Sequence, residues 1–374
     1  MKRFKTWLNE EYLEEELLLE ASTGEGADTV GKLRELQVGQ HLNGGKHMES
    51  YRAEGKTPEQ THDKLSKKAH GENYEKAEGH KTSQKNAVRA AKNIESHLEK
   101  HGHGKVKKTV WTSQPSDHQS ETGVADKNSK ADLIVTTSKS HKRKNRSENK
   151  VAISVKTGSG SVNYSNLGLD SLSKMSGKSL SHHTEKHGET IKTNLHEDSH
   201  DKYKALKNSS NKKDQEKAAN IKKSSFEMNT SIAHDIRHGL SQKSHNELHK
   251  TVSDAVSPET HLKHIVSRQI TYPKSHSKAG QERGHHTYDA HGHVAEYLHH
   301  FENLHVDPSE KTNSITIHGH HKVTKKKMAV ARISISAGGR PANKSPKGTV
   351  TLPSEDHKDI HYTDKSEHME HKPA

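Results

Sequence analysis

The strongest chemical signal in the chain comes from Asp132, Ser154 and Lys156. Asp132 stands at the head of the β-branched run Ala131-Asp-Leu-Ile-Val-Thr-Thr137, and Ser154 and Lys156 lie near the end of a second one, Val151-Ala-Ile-Ser-Val-Lys-Thr157. Side chains alternate between the two faces of a strand. Ser154 and Lys156 therefore share one face, and Ile153 and Val155 share the other. If the two runs pair as a hairpin, Asp132 joins Ser154 and Lys156. A carboxylate in that place suits Mg²⁺ or Mn²⁺, hard cations that prefer oxygen ligands and keep several waters. Such a cation acidifies a bound water and offsets charge at a reacting phosphate. A lysine beside it orients the water or stabilises the developing charge. The chemistry this set points to is phosphodiester hydrolysis. An ordinary strand edge with an Asp capping a turn uses the same residues.

The neighbouring segments suit phosphate as well. Thr157-Gly158-Ser159-Gly160-Ser161 offers backbone N–H groups and the hydroxyls of Ser159 and Ser161 directly after Lys156. Between the two runs, residues 139–150 read as a basic turn. Its Lys142, Arg143, Lys144 and Arg146 are placed to track a nucleic-acid backbone, each neutralising a phosphate. A turn and a solvated hairpin tip are the structural alternatives.

The arrangement resembles the PD-(D/E)XK superfamily of restriction-endonuclease-like nucleases, over roughly residues 28–170 with a helical insertion near 46–104. In that family an Asp opens the second core strand, matched here by Asp132, and an acid-x-Lys motif sits in the third, matched in its lysine by Lys156. Ser154 departs from the pattern, because it occupies the place of the acid. The resemblance implies that the missing carboxylate has moved. Glu35, in Leu33-Arg-Glu-Leu36 on the first core helix, is the preferred substitute, with Glu121 and Asp126 behind it. The resemblance thus implies a metal held by Asp132 and Glu35, Mg²⁺ or Mn²⁺ as the cofactor, and DNA as the partner.

Composition sets the bounds on the elements that position these residues. Of 374 residues only 26% are hydrophobic and 4% aromatic, so the chain builds a modest core beside long solvated stretches. The net charge is +13 with histidine neutral, which favours a polyanionic partner. Cysteine is absent, which excludes disulfides and thiolate metal sites. No apolar run approaches the roughly 18 residues that would cross a bilayer, so no membrane partner is expected. Acidic residues follow Lys2, Arg3 and Lys5, and this does not read as a secretory signal.

The expected fold class is α/β: a restriction-endonuclease-like mixed sheet of three to five strands, a long polar helical region, and C-terminal strands that join this sheet or form their own. Residues 1–26 read as an amphipathic helix and linker. Residues 27–175 form the nuclease-like core, with a helix over 28–43, polar helices over 57–100 entered through Thr57-Pro58-Glu59, and strands near 106–112, 131–137 and 151–157. Residues 176–310 are a His- and Lys-rich helical region. Residues 311–374 hold strands around 314–317, 328–335 and 349–352, then a polar tail from 354.

The 36 histidines read mainly as a compositional bias on solvated helices. His285, Asp289 and His293 are four apart and would share a helical face, a spacing open to a transition metal. No P-loop, GxGxxG, GxSxG or HExxH motif is present. A second resemblance concerns the opening Met1-Lys-Arg-Phe-Lys-Thr-Trp-Leu-Asn-Glu-Glu11 and the closing Ile333-Ser-Ile-Ser-Ala-Gly-Gly-Arg340, which look like those of tailed-phage structural or head proteins. It implies a host-cytoplasm or virion setting and other virion proteins as partners through the N-terminal helix. The expected function is metal-dependent DNA cleavage. The alternative is a non-enzymatic DNA-associated virion protein on a degenerate nuclease fold.

Overall fold

The computed structural model of the chain describes residues 25–46, 49–50, 57–112, 115–124, 131–143, 146–156, 164–195, 200–256, 260–273, 281–309, 312–336 and 341–362. The proposed N-terminal helix, Lys144, Asp126, Ser159 and Ser161 lie outside these residues.

In chain order the elements begin with α1 (Glu25–Leu42), β1 (Glu49–Ser50), α2 (Pro58–His70), a 3-10 turn (Tyr74–Lys76) and α3 (Glu78–Lys100). There follow β2 (Val106–Trp111), α4 (Pro115–Thr122), β3 (Leu133–Arg143), β4 (Arg146–Lys156) and β5 (Ser165–Leu167). Helices α5 (Leu169–Ser176), α6 (Ser181–Leu195), α7 (His200–Asn208), α8 (Lys212–Ser241) and α9 (His245–Val256) come next. The chain closes with β6 (Lys263–Pro273), β7 (Gln281–Asp289), α10 (Ala290–His299), β8 (Phe301–Val306), β9 (Ser314–His321), β10 (Lys327–Ser336) and β11 (Lys347–Thr351). Two compact units result: residues 1–160, 259–292 and 364–374 form one, and residues 161–258 and 293–363 the other.

The first unit is built on a six-stranded sheet in the order β1-β2-β3-β4-β6-β7. Strands β2, β3 and β4 run antiparallel to one another in turn, β4 and β6 pair in parallel, and β7 returns antiparallel along β6. Leu133, Val135, Val151, Ile153 and Val155 form one hydrophobic cluster with Leu36, Val38 and Leu42 of α1 and Ala87, Ala90, Ile94 and Leu98 of α3. Ile134 and Ala152 point the other way, into a smaller cluster with Leu262. The centre of the sheet is covered on both faces, so these strands read as unbroken apolar runs. At the entrance of α2, Thr57 and Gln60 form a reciprocal capping box at 3.3 and 3.1 Å, as the Thr-Pro-Glu sequence predicts.

The second unit carries a five-stranded antiparallel sheet, β5-β11-β10-β9-β8, so the C-terminal strands form a sheet of their own. Ile315, Ile317, Val330, Ile333, Ile335 and Val350 are buried in it. Helix α8 is tied to it by Arg237, whose buried guanidinium donates to the carbonyls of Thr312 and Ser314 at 2.8 and 2.7 Å.

Five expectations change, the first being the mixed sheet, which has six strands rather than three to five. The basic turn shrinks, because β3 runs on to Arg143 and β4 starts at Arg146, with Lys142 opposite Ser147 and Arg143 opposite Arg146. Backbone pairing depends on the main chain, so a basic stretch can extend an antiparallel ribbon. Residues 176–310 are not helical throughout: β6 and β7 lie there and complete the first sheet. His285 and Asp289 are strand residues of β7 and only His293 is helical, so the three share no helical face. Residues 354–362 are packed rather than a tail, with Glu355 at 2% and Ile360 at 7% exposure.

Some histidines also depart from the solvated reading, among them His187, His293 and His321, at 1, 5 and 3% exposure. Around the α2–α3 turn, His80 packs edge-on against Tyr74, His70 and His62, with ring centroids 4.8, 5.5 and 6.1 Å away. Burial lowers the pKa of His70, and the neighbouring His80 lowers it further. Burial likewise lowers His80, against a smaller upward pull from Glu75.

This packing has two measurable consequences. A Cβ at Gly239 would collide with the Ser176 backbone carbonyl, where α8 crosses the end of α5. Gly239→Ala should therefore destabilise the protein by about 1–3 kcal/mol in denaturant titration, despite alanine's better helix propensity. The depressed His70 and His80 mean that the unfolded chain binds protons first as pH falls. Stability should be full above the unfolded histidine value near 6.5 and decline below it. His70→Gln with His80→Gln should flatten that acid limb of a stability-versus-pH curve.

Candidate functional site

The hairpin β3–β4 brings Asp132 and Lys156 together. Leu133 sits opposite Ile153, and the Asp132 N–H donates to the Ile153 carbonyl at 2.9 Å, so Asp132 continues the ladder one step beyond β3. Its carboxylate turns over the end of β4. There Oδ2 accepts the Val155 N–H at 2.7 Å and lies 3.8 Å from Lys156 Nζ. Both side chains are partly exposed, 16% for Asp132 and 32% for Lys156. Oδ1 takes part in neither of these two interactions. One carboxylate oxygen is thus fixed by the strand and lies beside an ammonium group.

Ser154 lies at the same end of β4, but it is 1% exposed, and its Oγ is 3.1 Å from Nε2 of His264 on the parallel strand β6. A hydroxyl this deep is engaged by His264. His264 is the residue that sequence reasoning misses. The signal for it in the sequence is a β-branched run, Lys263-His-Ile-Val-Ser267, within a stretch that reads as helix.

Glu35 accepts the indole N–H of Trp111 through Oε2 at 3.0 Å. Trp111, like Leu36, belongs to the cluster on the helix-covered face, whereas Asp132 is two residues from Ile134, which faces the other side. Glu121 of α4 lies 3.4 Å from Lys150 Nζ and 4.0 Å from Lys108 Nζ, and Lys150 also donates to its carbonyl. Lys150 is four residues before Ser154 along β4, so Glu121 is engaged further down the strand. Lys142, Arg143 and Arg146 occupy the far end of the β3–β4 ribbon.

The donor set can be weighed against a bound cation. Glu35 is engaged by Trp111 with the cluster on the helix-covered face, so two-carboxylate coordination by Asp132 and Glu35 is not prepared. A cation held by the Asp132 carboxylate, completed by water and a substrate phosphate, would suit the residues as they stand, since Mg²⁺ is commonly bound by one or two carboxylates.

Asp132→Ala should leave the Val155 N–H without its acceptor and cost about 1–3 kcal/mol. Asp132→Asn retains an oxygen acceptor and should cost less. Thermal denaturation of the two variants side by side checks this order.

No helix among the described residues is long and apolar enough to cross a membrane. No protein-family model, no curated protein and no solved structure matches this chain.

Proposed function

We propose that the first unit hydrolyses DNA phosphodiester bonds at the Asp132–Lys156 end of the β3–β4 hairpin, with Mg²⁺ or Mn²⁺ held by Asp132. The observation that carries this reading is the 3.8 Å pairing of a strand-anchored carboxylate with a partly exposed lysine. The order of elements supports it: a helix, three antiparallel strands, and a further strand parallel to the third.

The cation, when bound, acidifies a water and offsets phosphate charge. Asp132 holds it, and the Val155 N–H fixes the carboxylate's orientation. Lys156 places a positive charge where the attacking water and a non-bridging phosphate oxygen would meet. Ser154 acts through His264 as a positioning residue. Lys142, Arg143, Lys144 and Arg146, with Ser159 and Ser161, supply contacts to the nucleic-acid backbone. The substrate is DNA, and the tailed-phage resemblance suggests the host cytoplasm or the virion as its setting.

Ser154 favours a second reading. A buried hydroxyl in the acid's place leaves one carboxylate, which suits a DNA-packing virion protein that has kept the scaffold and shed cleavage.

Plasmid nicking with Mg²⁺ or Mn²⁺ separates the two. Under the first reading the wild type cuts, and Asp132→Asn and Lys156→Ala each lose about 10²-fold or more in rate. No cutting by the wild type, with salt-sensitive DNA binding intact in all three proteins, leaves the packing role. In either case, replacing Lys142, Arg143 and Arg146 by alanine should flatten the plot of log binding constant against log salt. The slope should fall by roughly 0.9 for each phosphate that is no longer neutralised.

A further inference from the structure

The second unit holds a cluster that the phosphodiester site does not use. Ser181 opens α6, and the next two residues are His182 and His183, whose rings lie 3.8 Å apart between centroids. Asp235, in the long helix α8, faces them. Its Oδ2 is 2.8 Å from His183 Nε2, and its Oδ1 is 2.9 Å from Lys178 Nζ and 3.5 Å from His234 Nδ1. Asp235 is 8% exposed. Burial pushes its carboxyl pKa upward, but the hydrogen bonds and charges of His183 and Lys178 outweigh this and hold it below its ordinary value. At neutral pH it is a buried anion facing two imidazoles.

We infer that His182, His183 and Asp235 form a zinc-class site that clamps the start of α6 to α8. One ligand atom from each of the three lies within 4.8 Å of the others. Around a tetrahedral zinc, with bonds of about 2.0–2.2 Å, neighbouring ligand atoms stand about 3.3–3.6 Å apart. Small side-chain rotations close that difference. Two imidazoles and a carboxylate, in a chain with no cysteine, favour Zn²⁺ and its late first-row neighbours over Mg²⁺ or Ca²⁺. Water completes the shell, since His182 is exposed and leaves the cluster open to solvent.

Two balances must hold. An ionised Asp235 can only accept, so His183 donates through Nε2. Metal binding needs that nitrogen bare, so the ring passes to its Nδ1–H tautomer and the metal takes the bridging position the proton held. Lys178 opposes the metal as a like charge on the same carboxylate. Its side chain is 52% exposed, however, and can swing into solvent. Binding should therefore be weaker than the ligand set alone would give, and removing Lys178 should strengthen it.

The test is titration of the full chain with Zn²⁺ by calorimetry and with Co²⁺ by visible absorption. The variants are His182→Ala, His183→Ala and Lys178→Met. Asp132→Asn controls for the first unit, and His291→Ala and His299→Ala control for scattered surface histidines. One stoichiometric site should be present in the wild type and the controls. It should weaken tenfold or more in His182→Ala, whose exposed ring can be removed without unfolding, and in His183→Ala. It should tighten in Lys178→Met. A tight site unchanged in both His182→Ala and His183→Ala overturns the proposal. So does the absence of any stoichiometric site in the wild type.

Discussion

The pairing of β3 with β4 is the constraint around which the first unit is arranged. Its residues alternate strictly, with Leu133, Val135, Ile153 and Val155 toward α1 and α3 and with Ile134 and Ala152 toward Leu262. A slip of one residue would turn each apolar set to the wrong face. Register is therefore fixed by burial rather than by the turn, and the same register brings Asp132 over Val155 and Lys156. Site and core share one cause. A chain that is only 26% hydrophobic concentrates its aliphatic residues in these central strands. Helix α3 turns its Ala87, Ala90, Ile94 and Leu98 to them, and α1 has no exposed residue from Thr29 to Leu42.

The features legible in the sequence are those governed by local pattern. The alternation at 131–137 and 151–157 locates both strands and puts Asp132, Ser154 and Lys156 at one end. Thr57-Pro58-Glu59 announces a helix start, and Val330, Ile333 and Ile335 announce a C-terminal strand. What stays hidden depends on partners distant in sequence. Lys142 and Arg143 look like a turn until the opposite strand pairs with both. Ile265 and Val266 look like part of a polar helical stretch until β4 offers a parallel edge. The resemblance assigns Glu35 to a metal, and nothing local indicates that the Trp111 indole engages it. His264 is invisible for the same reason, since its interaction with Ser154 spans 110 positions.

Histidine does different work in different places. His187 bridges α6 and α8 through Ser224 Oγ at 2.9 Å and meets the Pro341 carbonyl at 2.8 Å, which uses both ring nitrogens in a buried position. His293 stacks on Tyr362 and lies 3.5 Å from Glu355, itself bonded to Tyr164. In a chain poor in aromatic residues, imidazole supplies flat, packable surface while still satisfying polar neighbours. The apparent compositional bias thus becomes part of the packing.

The interruption between β4 and β6 governs how the molecule is assembled. These strands pair side by side, Val151 with Lys263 onward, yet the whole stretch from α5 to α9 is made between them. Closing so long a loop costs little more in equilibrium free energy than closing a short one. The penalty falls on the rate, because non-local parallel pairing must wait for the distant segment. During synthesis β4 therefore emerges with one backbone edge unpaired, and that edge persists until β6 arrives. A nascent chain in that state is a template for strands of other molecules. Its yield in the cell is then set by the time from β4 to β6 as much as by the stability of the finished sheet.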